Sequence, residues 1–222
     1  MVHAGTIQHM VHTHGSLIGA WDFAAVGRLA PKPGRFSVLL PFHATFTLTD
    51  RRHLTEAVAA GQGAVVTSGG EVLVDVGSSA YGVQLDAVVG DGAGSGASSG
   101  AAAESTVEIY QPEPFTLRSV TTKRVGQARV FVGSMFGQTS PVVPPSPLVA
   151  AEIRLAPGAE VAMTLEPDFE YGLLAASDEI ALQNTPVPRG VVGYTDVGTA
   201  TWGVKNLGNE EARAVIFGGK VL

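Results

Sequence analysis

The sequence is divided into many short runs of β-branched and apolar residues, each ended by glycine, proline or a polar turn. Glycine contributes 28 of the 222 residues and proline 13, so few stretches are long enough to form a helix. The runs 128–132 and 148–155 indicate strands, and 45–49 alternates threonine with apolar residues, which is typical of a half-buried strand. Many short strands at regular spacing predict an all-β fold of sandwiches or barrels.

A low-complexity segment interrupts this pattern near the middle of the chain. Residues 90–105 read GDGAGSGASSGAAAES, and such small side chains bury too little area to offset the entropy of ordering the backbone. We therefore expect a flexible loop at 90–105, within the first of two similar blocks of strands. The sequence predicts two tandem antiparallel β-barrels, an N-terminal one over 1–118 and a C-terminal one over 119–222.

Charge and cysteine content exclude several classes of function. The formal net charge is −6 and basic residues never cluster beyond two neighbours, so we expect no nucleic-acid partner. No apolar run is long enough to span a membrane, and the first residues lack the pattern of a signal peptide, so we expect no membrane association and a cytoplasmic location. Because cysteine is absent, zinc fingers, iron–sulfur clusters, disulfide scaffolds and cysteine nucleophiles are excluded.

All six histidines lie in the first 53 residues, which restricts histidine chemistry to the N-terminal quarter of the sequence. His12 and His14, with His9 nearby, have metal-like spacing and would share one face of a strand. No carboxylate stands at a matching distance, so we interpret this segment as a surface strand. The second barrel would contain no histidine, which predicts a purely structural role for it. Its acidic and phenolic candidates are Glu152, Glu170, Tyr171, Asp178 and Glu179.

Several motifs occur in a recognisable order along the chain. They are RVFVGSMFG at 129–137, Ser140-Pro141, IRLAPGA at 153–159 and RAVIFGG at 213–219, preceded in the N-terminal half by VVTSGG at 65–70 and GVQL at 82–85. This order resembles the pirin family, whose C-terminal cupin carries GxxxGxxSP, xLxPGA and RxLLxGGEP segments. The resemblance implies a bicupin, in which two antiparallel β-barrels follow one another and the first usually holds the site.

The same resemblance implies a metal centre of three histidines and one glutamate in the first barrel, and this sequence keeps little of it. Pro41 stands at the first histidine position and His43 keeps the second. Leu73 stands at the third, and Asp75 replaces the glutamate. A mononuclear iron site needs at least two histidines and one carboxylate. We therefore predict that the iron site is lost and that the protein uses no cofactor.

The residues that remain predict an apolar cavity with a few polar groups. His43 and Asp75 are the predicted catalytic residues, because imidazole titrates near neutral pH and suits proton transfer. The predicted substrate-binding residues are Trp21, Phe23, Phe42, Thr45, Phe46, Thr47, Leu73 and Gln84. A cavity lined by such residues suits an apolar or aromatic small molecule as the substrate.

Three functions stay open at this point. The first is a cofactor-independent isomerase or cyclase, for example in specialised metabolite biosynthesis, which holds a flexible substrate in a reactive conformation. The second is a quercetinase-like dioxygenase that uses iron or another divalent metal on rearranged ligands. The third is a non-catalytic, pirin-like regulator that binds a partner protein. Loss of metal ligands from a preserved barrel signature favours the first.

Overall fold

The computed structural model of the chain describes the backbone of twelve segments and the side chains of most of them. The backbone segments are 3–6, 19–22, 28–29, 35–43, 46–49, 55–67, 73–76, 81–88, 106–119, 124–144, 147–177 and 179–220. Side chains are described over 36–41, 46–49, 56–66, 107–119, 125–144, 147–177 and 179–220. These segments form strands and turns, as the sequence predicts, and none of them is a helix that could cross a membrane. The predicted loop at 90–105 and the segment with His9, His12 and His14 lie outside them.

Twenty-two strands are described, and the first ten lie before the middle of the chain. They are β1 (His3–Thr6), β2 (Gly19–Asp22), β3 (Arg28–Leu29), β4 (Arg35–His43), β5 (Phe46–Thr49), β6 (Thr55–Val58), β7 (Gly63–Thr67), β8 (Leu73–Val76), β9 (Tyr81–Val88) and β10 (Thr106–Tyr110). The other twelve are β11 (Phe115–Arg118), β12 (Arg124–Val132), β13 (Ser134–Met135), β14 (Gln138–Thr139), β15 (Leu148–Leu155), β16 (Glu160–Thr164), β17 (Phe169–Ala175), β18 (Ile180–Leu182), β19 (Thr185–Val187), β20 (Val191–Thr195), β21 (Thr201–Asn206) and β22 (Ala212–Lys220).

Two compact units divide the chain. The N-terminal unit is Leu17–Pro112, and the C-terminal unit joins Met1–Ser16 to Glu113–Leu222. This division differs from the predicted one, 1–118 and 119–222, at both ends of the first domain. The difference at the start of the chain has a structural cause in the pairing of β1.

β1 belongs to the sheet of the C-terminal unit. It pairs antiparallel with β20, with His3 opposite Tyr194 and Thr6 opposite Val191. The expectation that the second barrel contains no histidine is therefore wrong, because His3 lies on its edge strand. A pairing between the two ends of a chain is set by tertiary contacts and leaves no local pattern in the sequence.

The N-terminal unit consists of two antiparallel sheets around an apolar core. The strand order is β10-β7-β4-β9-β2 in one sheet and β3-β8-β5-β6 in the other. The first sheet contributes Leu39, Ala64 and Val66 to the core, and the second contributes Phe46, Leu48 and Val58. In β5 the burial alternates, with Phe46 and Leu48 buried and the intervening threonines half-buried. This alternation confirms the predicted half-buried strand with threonines on one face.

The C-terminal unit has a larger sheet and a more extensive core. A seven-stranded sheet, β1-β20-β17-β22-β15-β12-β11, faces a four-stranded sheet, β16-β21-β18-β19. Trp202 of β21 and Ile153 of β15 are among the largest fully buried side chains of the shared core. The close packing depends locally on Gly172, because a Cβ atom there would lie 2.5 Å from the ring of Phe217.

Candidate functional site

The interior of the N-terminal barrel is formed by rows of paired residues that run across its two sheets. In the five-stranded sheet, Leu39 of β4 is paired with Gln84 of β9 and Ala64 of β7, and Gln84 is paired with Trp21 of β2. Leu39 and Ala64 belong to the apolar core. Paired residues occupy the same face of a sheet. Trp21 and Gln84, two of the predicted substrate-binding residues, therefore hold register positions in the row of Leu39, and their contact with a substrate stays a prediction.

One buried polar residue in this region was not singled out from the sequence. Ser37 of β4 has no exposed surface and lies two residues before Leu39, on the same face of the strand. It is paired with Val66 of β7 and with Asp86 of β9. The alternation Ser-Val-Leu at 37–39 was the available signal, because it puts the serine and the leucine on one face.

His43 ends β4 and belongs to the five-stranded sheet. It is paired with Tyr81 of β9 after an irregularity in the register that begins at Pro41. Pro41 is paired with Gly82, the neighbour of Tyr81. The irregularity changes the alternation at the end of the strand, so position 43 does not follow the simple period of two that Leu39 obeys.

Asp75 belongs to the other sheet. It lies in β8 between Arg28 of β3 and Thr47 of β5, and Leu73 on the same strand is paired with Thr49. The core positions of β5 are Phe46 and Leu48, and Thr47 alternates with them onto the opposite face. The register thus pairs Asp75 with Thr47 and Leu73 with Thr49. A substrate contact by Thr47 would have to be made on the face of the sheet opposite Phe46 and Leu48.

The predicted site residues are therefore distributed over both sheets. The described strands contain the backbone positions of His43, Asp75, Trp21, Phe42, Phe46, Thr47, Leu73 and Gln84. Phe46, 1% exposed, lies in the core with its side chain described. Phe23 and Thr45 lie outside the described residues.

The histidines available to this barrel do not fit a centre of three histidines and one glutamate. By sequence, the unit Leu17–Pro112 contains His43 and His53, while the other four histidines precede residue 17. Among the described residues no group of three histidine, aspartate or glutamate side chains could hold a metal ion. By sequence, the N-terminal unit alone therefore has too few histidines for the ligand set that the pirin resemblance implies.

A different charged cluster lies on the C-terminal unit, on the face of the large sheet that does not point into its core. Glu152 is 2% exposed and is contacted by three arginines. Its Oε2 lies 3.2 Å from Nη1 of Arg129, its Oε1 lies 2.9 Å from Nε of Arg154, and Arg213 forms the third ion pair. Burial lowers the pKa of Arg213, Glu152 raises it, and the neighbouring Arg154 and Arg129 lower it further. This arrangement binds three strands together by charge.

The interior of the C-terminal barrel is filled with apolar and aromatic side chains. The ring of Tyr171 lies against Trp202, with centroids 5.7 Å apart, and stacks on Phe169 at 5.8 Å. The Tyr171 hydroxyl accepts a hydrogen bond of 3.0 Å from the amide of Glu166. Burial raises the pKa of Tyr171, and the charges of Glu166 and Asp168 raise it further. These contacts make Tyr171 part of the packing; Asp178 lies outside the described residues.

Comparison with known proteins identifies the fold. No protein-family model matches the sequence, and no curated protein matches it. A crystal structure of quercetin 2,3-dioxygenase from Acinetobacter baumannii is 20% identical over 90% of this chain, with a TM-score of 0.71. This chain spans 62% of the length of that one.

Two other solved structures have the same architecture. The bacterial pirin YhhW from Escherichia coli, in complex with nickel(II), is 7% identical over 100% of both chains, with a TM-score of 0.63. A mutant of the oxalate decarboxylase OxdC from Bacillus subtilis is 12% identical over 100% of this chain and 73% of that one, with a TM-score of 0.59. At these identities the likeness shows the fold. The chain has the all-β bicupin fold, which confirms the predicted fold class.

Proposed function

We propose that this protein is a bicupin enzyme whose N-terminal barrel binds an apolar or aromatic small molecule and rearranges it without a metal cofactor, as an isomerase or cyclase. The observation that carries the proposal is the shortage of metal ligands in the N-terminal unit, which has two histidines by sequence. The described core of the same unit is apolar and includes the buried ring of Phe46. An apolar lining with a few polar groups is the usual form of a small-molecule site.

The residues of this unit have separate parts in the proposed reaction. The imidazole of His43 exchanges a proton with the substrate, since histidine changes charge near neutral pH. The apolar walls exclude water and hold a flexible substrate folded, which supplies acceleration by orientation. Asp75 lies on the opposite sheet from His43, in the row of Thr47, so its contribution is tested separately.

A second candidate function is a metal-dependent dioxygenase, and the names of the structural neighbours favour it. One neighbour is a quercetin 2,3-dioxygenase and another is a pirin in complex with nickel(II). This function would need a ligand set different from three histidines and a glutamate. It therefore predicts a bound metal, whereas the first proposal predicts activity and ligand binding that do not depend on one.

Metal analysis with a flavonol probe separates the two functions. The full-length protein is dialysed against EDTA, its iron, nickel, manganese and zinc are measured, and quercetin binding is followed by quenching of tryptophan fluorescence. We expect less than a tenth of an equivalent of metal (on the order of contamination), unchanged quercetin binding, and no oxygen uptake after iron, nickel or manganese is added. Stoichiometric metal that survives dialysis, or metal-dependent oxygen uptake, would establish the dioxygenase instead.

Variants then test the assignment of residues. His43→Ala and Asp75→Asn are compared with Glu56→Gln, which changes an exposed carboxylate on β6 of the same unit. We expect His43→Ala to weaken quercetin binding about tenfold and Glu56→Gln to leave it unchanged. Binding by His43→Ala equal to that of the wild-type protein would contradict the assignment of His43, and equal binding by Asp75→Asn would contradict that of Asp75. Absence of quercetin binding by the wild-type protein would contradict an open small-molecule cavity and favour a partner-binding role.

A further inference from the structure

A groove on the C-terminal unit is separate from the site proposed above. It has a volume of about 470 Å³ and lies between the turn that starts β13, a proline-rich loop before β15, and the turn between β16 and β17. The lining residues are Gly133, Ser134, Pro144, Pro147, Leu148, Glu166 and Phe169. This volume is within the range of about 300–1,000 Å³ that small-molecule sites occupy.

The first wall of the groove is fixed by a glycine and a buried serine. Gly133 has a φ of +69°, and a Cβ atom there would lie 1.9 Å from the carbonyl oxygen of Leu148. Ser140 donates a hydrogen bond of 2.7 Å from its hydroxyl to the carbonyl of Phe131 and accepts one of 3.1 Å from the amide of Val142. Both contacts hold the backbone, so this wall is formed before any ligand binds.

The second wall is attached to the barrel core. Phe169 stacks on Tyr171, which contacts the fully buried ring of Trp202. The Tyr171 hydroxyl holds the amide of Glu166, and the Glu166 carbonyl accepts a further hydrogen bond of 3.1 Å from the amide of Phe169. These hydrogen bonds fix the backbone of the turn that carries Glu166 and Phe169.

The second wall carries two carboxylates, Asp168 and Glu166, and they differ in their ion-pair partners. Asp168 is paired with Lys220, with Oδ2 and Nζ 2.8 Å apart. The carboxylate of Glu166 forms no ion pair within the part of the chain that the structure describes. The lining of the groove therefore combines Glu166, which has no ion-pair partner among the described residues, with one aromatic ring, two prolines and a leucine.

We propose that this groove binds a small organic cation, an ammonium or guanidinium group on a compact apolar body. The positive group would lie at the Glu166 carboxylate and the ring of Phe169, which both attract cations. The apolar body would lie against Pro144, Pro147 and Leu148. The preformed walls lower the entropic cost of binding.

Benzylammonium and its neutral analogue benzyl alcohol test the proposal. Each is titrated into the ¹⁵N-labelled full-length protein at pH 7 and low salt, and amide shifts are recorded by NMR. We expect saturable shifts at Gly133, Ser134 and Leu148 and an affinity for benzylammonium roughly tenfold higher than for benzyl alcohol. The preference should shrink as sodium chloride is added.

Two charge-neutralising variants complete the experiment. Glu166→Gln removes the exposed carboxylate but keeps the amide that Tyr171 holds, so the fold is retained. Glu210→Gln changes an exposed carboxylate elsewhere on the same unit and is the matched control. Glu166→Gln should reduce benzylammonium binding to the level of benzyl alcohol, and Glu210→Gln should not. The proposal would be overturned by equal affinities for the two probes or by amide shifts spread away from the groove. It would also be overturned if Glu166→Gln bound benzylammonium as tightly as the wild-type protein does.

Discussion

Arg129 and Glu152 lie directly opposite each other on β12 and β15, with Nη1 of the arginine 3.2 Å from Oε2 of the glutamate. Glu152 is 2% exposed, and Arg154 and Arg213 contact its other oxygen. One buried carboxylate therefore forms ion pairs with three guanidinium groups from three adjacent strands. Removing the carboxylate would leave the charges of the three arginines uncompensated in a region of low dielectric.

Glu152→Gln keeps the size of the side chain but removes this charge. We expect it to lower the free energy of unfolding by about 3 kcal/mol, because three arginines are left beside one another. The measurement is urea denaturation followed by tryptophan fluorescence. Glu211→Gln is the control, since Glu211 is 63% exposed and lies 3.9 Å from Arg154, and its cost should stay below about 1 kcal/mol. Similar costs for both variants would contradict the organising role of Glu152.

Asn206 connects two turns of the C-terminal unit. Its buried amide donates hydrogen bonds to the carbonyls of Leu155, Ala156 and Glu210, and its oxygen accepts one from the amide of Gly208. Asn206→Ala should destabilise the protein by about 2–4 kcal/mol, because one buried and two part-buried hydrogen bonds to carbonyls are lost.

The neighbouring asparagine provides the control for this variant. Asn209 is exposed, so Asn209→Ala should change the free energy of unfolding by no more than about 0.5 kcal/mol. Thermal unfolding of both variants gives the comparison. A small effect of Asn206→Ala would show that water replaces the lost donors.

Much of the fold could be predicted because its strands carry their own pattern. The predicted strand 148–155 agrees with β15, and the run 45–49 contains β5 with its alternating burial. The short strands β13, β14 and β19, of two or three residues, are too short for any period to be visible. The pairing of β1 with β20 was missed because it joins distant parts of the chain.

The candidate site in the N-terminal barrel and the charged cluster around Glu152 were both less predictable than the strands, because both depend on which strands pair. Strand parity alone puts Glu152 and Arg154 on one face, and this signal was available in the sequence. Arg129 and Arg213 join them only through the registers of β12 and β22 with β15. Which of two strands lies opposite a given residue depends on long-range pairing, so a shared ion-pair cluster cannot be read from local spacing.

Tyr171 should make the protein sensitive to alkali. Its pKa is raised above the ordinary value of 10.0, chiefly by burial. The contribution of the neutral Tyr171 side chain to stability is therefore fully present below the pKa that tyrosine has in the unfolded chain. It is lost as the pH rises through the higher pKa of the folded protein. Tyr171→Phe should cost about 1 kcal/mol at pH 7, through loss of the hydrogen bond to the Glu166 amide.

Above pH 10 the difference in the free energy of unfolding between the wild-type protein and Tyr171→Phe should shrink or change sign, since phenylalanine does not ionise. Urea denaturation between pH 7 and pH 11 gives the difference, and phenolate absorbance at each pH reports the titration itself. Parallel stability profiles for the wild-type protein and Tyr171→Phe over this range would contradict a contribution from this residue.

A substitution at Gly133 should be costly, because the first wall of the groove packs closely against the backbone of Leu148 at this position. Gly133→Ala adds a Cβ atom against the carbonyl of Leu148 and also requires a positive φ. Gly158 has a φ of +64° with open space around it, so Gly158→Ala isolates the cost of the backbone conformation, about 1 kcal/mol. Gly133→Ala should cost clearly more than this in urea denaturation, and it should weaken benzylammonium binding. Equal costs would mean that the backbone near Leu148 moves freely.

Lys220 should limit the affinity of the groove for cations. Its ammonium group pairs with Asp168 at 2.8 Å. The hydrogen bond between them raises the pKa of Lys220 and lowers the pKa of Asp168. Lys220→Gln leaves a second carboxylate near Glu166, so benzylammonium should bind several-fold more tightly at low salt and the difference should fade as salt is added. The pKa of Asp168, followed by NMR, should return toward 3.8 in the variant. Unchanged affinity together with an altered pKa of Asp168 would show that the cation does not reach this turn.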